Sequence, residues 1–108
     1  MAQARIFEPG IVAISVYVPK RGVGNEEIIT RFGFDREFLS QKLGIENRHI
    51  AEATEAVSDM AVAAGEKVFA SGEVKRDEIE LLILCTQTPD FCLPATANGL
   101  RGRKITTY

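Results

Sequence analysis

Leu81-Leu82-Ile83-Leu84-Cys85-Thr86-Gln87-Thr88-Pro89-Asp90-Phe91-Cys92-Leu93-Pro94-Ala95-Thr96-Ala97 is the stretch from which the fold can be read. Five apolar residues run from Leu81 to Cys85 without alternation, which suits a strand covered on both faces. A strand with one wet face would alternate polar and apolar side chains. After Thr86 a polar loop with two prolines leads to a small-residue segment from Ala95. Open α/β sheets bind ligands beyond the carboxyl ends of their strands, so residues 86–93 should meet a ligand or a partner subunit.

Working outward, residues 10–18 form a second almost continuously apolar, β-branched run and are expected to be a strand. Pro19 stops it, since proline cannot donate to a ladder. Residues 20–24 read as a polar, glycine-bearing loop. Asn25 is expected to cap a helix that has Glu26 and Glu27 in its first turn, runs to about Phe32 and ends at Gly33. Asp35 should cap a short helix over 36–43, closed by Gly44. Residues 45–51 read as an extended loop. A third helix should begin near Ser58 and end at Gly72, because Val57, Met60, Ala61, Ala64, Val68 and Phe69 recur on one apolar face. Residues 75–78 read as a solvated linker. Two apolar strands separated by helices imply a parallel pair with crossover connections, hence the α/β class. One sizeable helix and two short ones cover such a sheet thinly, so something else should complete it.

Composition narrows the function classes. The 108 residues suit one small domain or part of a larger one. A net charge of −2 gives no electrostatic case for nucleic acid or an anionic membrane surface. No apolar run approaches the ~20 residues of a membrane span, and residues 1–20 lack the shape of a signal peptide. The two cysteines are too few for a disulfide scaffold. Reduced thiols in a cytoplasmic protein are expected, with Cys85 packed inside its strand.

Five ordered blocks carry a resemblance to a known family: residues 10–19, 25–27, 44–51, 57–61 and 85–90. In these blocks the chain resembles the N-terminal part of β-ketoacyl-acyl-carrier-protein synthase III, a thiolase-fold condensing enzyme. The match covers residues 1–100 as a partial thiolase-like α/β domain and fails over 101–108. A premature end, a shifted frame or a cut would each give such a tail. The resemblance implies a homodimeric enzyme that takes an acyl group from coenzyme A onto a cysteine. It then condenses that group with malonyl-acyl-carrier protein, releasing carbon dioxide, as in fatty-acid initiation. A histidine and an asparagine assist the cysteine. That triad is expected to be absent from these 108 residues, which alone should be inactive. No resident cofactor is implied, acyl-CoA being a substrate. Two rivals stay open: a non-catalytic interaction piece or remnant, and another thiolase-fold acyl-CoA enzyme.

The resemblance also assigns site residues. Phe38 and Lys42 fall where the family has an aromatic residue and a cation beside coenzyme A, and Leu43 stands where a threonine is usual. Stacking and charge four residues apart on one helix face would serve that role, although lysine cannot bind phosphate bidentately. The alternative has Phe38 in the core and Lys42 solvated. Leu93 falls where the family lines its acyl pocket across the dimer interface. A leucine there leaves room for a chain longer than acetyl, or is ordinary interface core. No catalytic residue and no metal ligand set is expected, because Cys85 and Cys92 have no base and the single histidine, His49, belongs to another motif. Arg48 and His49 should hold the loop after Gly44.

Overall fold

The computed structural model describes residues 8–92 and 95–102. In chain order these give strand β1 (Arg21–Gly24), helix α1 (Asn25–Phe32), a one-turn π-helix (Phe38–Lys42), strand β2 (Asn47–Ile50), helix α2 (Val57–Ala70), a 3₁₀ turn (Arg76–Glu78) and helix α3 (Thr96–Gly102).

The helices follow local chemistry. α1 has Glu26 and Glu27 in its first turn and Arg31 in its last, which complements the helix dipole at both ends. Gly33 ends it at φ 69°, a left-handed conformation that costs a glycine nothing, with its amide bonded to the Ile29 carbonyl at 2.9 Å. The Asp35 carboxylate accepts from the Phe38 amide at 3.0 Å and so caps the next helical turn, as its sequence position suggests. α2 is held at its start from two sides. Asp59 accepts from the Ala56 amide at 2.9 Å, and Asp90, across the chain, accepts from the Ser58 amide at 3.2 Å.

Four sequence expectations are corrected. Residues 20–24 and 45–51 are not simple loops: β1 and β2 pair antiparallel, with Val23 opposite Arg48 and Gly22 opposite His49. Neither four-residue strand carries the apolar alternation that marks a strand in sequence, and backbone pairing joins them. Asn25 does not cap α1. Gly24 occupies the cap with no side-chain bond, while the Asn25 amide group donates to the Ile45 carbonyl at 2.9 Å. Residues 76–78 form a 3₁₀ turn, in which Glu78 accepts from the Lys75 amide at 2.9 Å.

The fourth correction concerns the two apolar runs. Residues 11–19 and 81–85 contain neither helix nor turn, and exposure changes from residue to residue along them, as in an extended chain. Among the described residues no backbone hydrogen bond joins either run to another segment. The first run is covered on one face. Ser15 donates to the Ala64 carbonyl, Lys67 donates to the Val16 carbonyl at 2.8 Å, and the Tyr17 hydroxyl donates to Glu55, which places α2 over the first run. The opposite face stays open, with Ile14 79% and Ile83 79% exposed. Cys85 lies on that open face and is exposed rather than packed. The reading of a strand buried on both faces therefore fails for want of a cover.

The described core is correspondingly small: Val23, Leu39 and Leu100 are its buried apolar side chains. α3 packs on α2 and brings Leu100 inward. The chain exposes 8971 Å², where a compact protein of its mass would expose about 6,000 Å². Its radius of gyration is 18.9 Å, against about 13 Å for a compact chain of this length.

Candidate ligand groove

α1, the π-helix and β2 converge on an open groove of about 500 Å³. Ile28 and Phe32 come from α1, Phe34 from the loop, Phe38 and Leu39 from the π-helix, then Leu43, and Arg48 from β2. Its size lies within the usual range for small-molecule sites, which are mostly apolar with a few placed polar groups. The left-handed Gly33 turns the chain back, so that the Phe32 and Phe34 rings stand 6.4 Å apart at 49°. This tilted pairing is favourable for aromatic rings. The Arg31 guanidinium lies 5.4 Å from the Phe32 ring centre.

Two links fix the groove's walls. Arg36 bonds Glu26, tying the π-helix segment to α1, and holds the Glu26 carboxyl below its ordinary range. Arg48 donates to Asn25 Oδ1 at 3.0 Å, tying β2 to α1. His49 faces the other way, its Nδ1 2.7 Å from the Pro19 carbonyl.

The structure brings Phe38 and Leu43 into one groove and leaves Lys42 outside its lining. The reason is the wide turn: the Leu43 amide bonds the Phe38 carbonyl at 3.0 Å, five residues back, so Leu43 rather than Lys42 closes the turn on Phe38. Phe38 is 39% exposed and therefore presents its ring instead of being core. Phe32, Phe34 and Arg48 were not foreseen as groove residues. The available signal was that three of the six phenylalanines fall within residues 32–38.

A second, smaller crevice of about 180 Å³ lies past residue 84, lined by Thr86, Pro89, Phe91 and Cys92 among others. Asp90 organises it, donating its amide to Thr96 Oγ1 at 3.0 Å while its carboxylate holds the start of α2. The expected acyl-pocket residue Leu93 lies outside the described residues. Among the described residues no cluster of three or more potential metal ligands occurs, and no helix is long and apolar enough to cross a membrane.

With this geometry in view, the comparisons with known proteins are specific. No family model matches the chain. It is 34% identical over 92 residues to β-ketoacyl-[acyl-carrier-protein] synthase III of Rickettsia canadensis, covering 85% of this chain and 29% of the relative. It is 37% identical over 93 residues to the protein of the same name from Ehrlichia canis, again 29% of its length. A crystal structure of 3-oxoacyl-(acyl-carrier-protein) synthase III superposes with a TM-score of 0.77 at 34% identity, over 90% of this chain and 29% of that one. The Thermus thermophilus synthase III gives 0.78 at 29% identity, over 88% and 30%. The fold is accordingly a partial thiolase-like α/β fold, and the chain spans 29% of the length of the curated relatives it matches. In sequence and backbone it corresponds to one segment of β-ketoacyl-acyl-carrier-protein synthase III.

Proposed function

We propose that these residues form the N-terminal portion of a synthase III-type condensing enzyme. Such an enzyme moves an acyl group from coenzyme A to a cysteine and condenses it with malonyl-acyl-carrier protein, with loss of carbon dioxide. The supporting observation is that nine-tenths of the chain lies on a synthase III structure at 34% identity. The Phe38 groove is then the place where coenzyme A is held, by an aromatic face and apolar walls, with Lys42 near its phosphates. The triad lies in sequence not among these 108 residues, and the chain by itself performs no turnover. The working protein is a cytoplasmic homo-oligomer with acyl-CoA and acyl carrier protein as substrates and no resident cofactor.

The test is the protein expressed from its complete reading frame, incubated with labelled acyl-CoA and malonyl-acyl-carrier protein. Labelled β-ketoacyl-carrier protein and released carbon dioxide are expected. Failure to form product from any acyl-CoA, short or long, would overturn the assignment. The open face around Ile14 and Ile83 favours a second reading, a non-catalytic piece that binds a partner chain. It predicts a protein of about this mass when isolated from its natural source.

A further inference from the structure

Arg48 is an unusual residue for its place in the fold. It sits opposite Val23 in the β1–β2 register, and opposed residues of an antiparallel pair share a face. Val23 is only 1% exposed, so Arg48 stands on the inward face of the ribbon, where it lines the aromatic groove. Guanidinium groups in such positions ordinarily meet a carboxylate. The ion pairs described here involve Arg21, Arg36 and Arg76, and Arg48 instead donates to the neutral amide oxygen of Asn25. Asn25 is itself fixed, its Nδ2 bonded to the Ile45 carbonyl. It stands at the first residue of α1, one place past the position in which asparagine caps a helix. The amide therefore orients the guanidinium without neutralising it, and the remaining N–H donors keep a full positive charge beside a groove of phenyl rings.

We propose that Arg48 binds an anionic phosphate group of coenzyme A at the groove and that Asn25 is the positioning residue that aims it. This rests on the reading of the groove as a coenzyme A site and adds a cation that Phe38, Lys42 and Leu43 do not supply. A planar guanidinium can grip phosphate through two parallel N–H bonds, which lysine cannot do. Replacing Asn25 by aspartate would keep the acceptor for Arg48 but cancel its charge.

The experiment uses the protein from its complete reading frame and calorimetric titration with two probes, coenzyme A and phosphate-free pantetheine. The wild type should bind coenzyme A more tightly. Arg48→Gln should weaken coenzyme A about tenfold and leave pantetheine unchanged. Asn25→Asp, which gains an ion pair with Arg48 but loses the donor to the Ile45 carbonyl, should weaken coenzyme A in the same direction and leave pantetheine unchanged, whereas a purely structural Asn25 would leave both affinities alone. If both variants bind coenzyme A like wild type, the Arg48 assignment is overturned and the groove assignment stands. A wild type that binds neither probe overturns the groove assignment and this inference together.

Discussion

The Asp35 carboxylate accepts a hydrogen bond from the Phe38 amide at 3.0 Å, and this contact starts the turn that carries the groove's central ring. Ser40 adds a bond to the Arg36 carbonyl at 2.9 Å, but the first-turn amide has no other described partner. Asp35→Ala should cost about 1 kcal/mol of local stability, the usual effect of losing a cap. Amide hydrogen exchange at Phe38 reports it directly: faster exchange in the alanine variant and near-normal protection in Asp35→Asn. Equal protection in all three proteins would show that the π-helix forms without the cap.

The open apolar face sets the solution behaviour of the 108-residue chain. Ile14, Val16, Leu81 and Ile83 point away from α2 and are 65% or more exposed. Unpaired edges and contiguous apolar surface invite association. Light scattering should give a mass above the monomer, and Ile83→Asp should bring it down without loss of helix signal. A wild-type chain that remains monomeric and melts cooperatively would contradict this.

Much of the helical content was legible because its signals are local. Gly33 and Gly72 stop helices in sequence as they do in the structure, at φ 69° and 78°. Asp35 announces its turn from one position away. The β1–β2 ribbon was not legible, since Arg21–Gly24 and Asn47–Ile50 are short, polar and held by pairing across 23 or more residues. The apolar runs could be recognised as extended, but burial of Cys85 depends on a cover that no local pattern supplies. At the groove, spacing pairs Phe38 with Lys42 on one helix face, whereas the lining holds Phe38 and Leu43. The departure of Lys42 follows from a five-residue hydrogen-bond register that side-chain spacing does not encode.

Two groups give stability a pH signature. The hydrogen bond from Arg36 is the main cause that lowers Glu26 from its ordinary 4.5. Its contribution is therefore complete above that value and disappears as pH falls through the folded value. The hydrogen bond to Glu55 is the main cause that raises Tyr17 from 10.0. That contribution is complete below pH 10 and disappears as pH rises through the folded value. Melting curves of wild type against Glu26→Gln should converge at acid pH, and those against Tyr17→Phe should converge at alkaline pH. The Glu26–Arg36 pair is exposed, so its gap should be small, and the half-buried Tyr17–Glu55 pair should give the larger one. A gap that does not vary with pH would remove the assigned cause.

The proposed function makes Leu93 a test of acyl selectivity. On the synthase III reading, a leucine leaves more room than an aromatic ring at the pocket wall. Leu93→Phe in the complete protein should shift preference toward shorter acyl-CoA substrates, read as the ratio of kcat/KM between short and long chains. An unchanged ratio would assign Leu93 to packing alone.

If the groove holds coenzyme A as proposed, its geometry ranks the residues that would bind it. Phe38 and Leu43 both line the groove, while Lys42 lies outside the lining. Aromatic stacking contributes about 0.5–1.5 kcal/mol beyond area burial, which corresponds to roughly two- to tenfold in affinity. Phe38→Ala in the complete protein should raise KM for acyl-CoA by that factor with little change in kcat, and Phe38→Trp should restore or lower it. Lys42→Ala should raise KM less, because a flexible, solvated ammonium binds phosphate as a screened point charge. An effect at Lys42 larger than at Phe38 would mean that charge rather than stacking governs the site and that the turn rearranges on binding. An unchanged KM in both variants would end the assignment of coenzyme A to this groove.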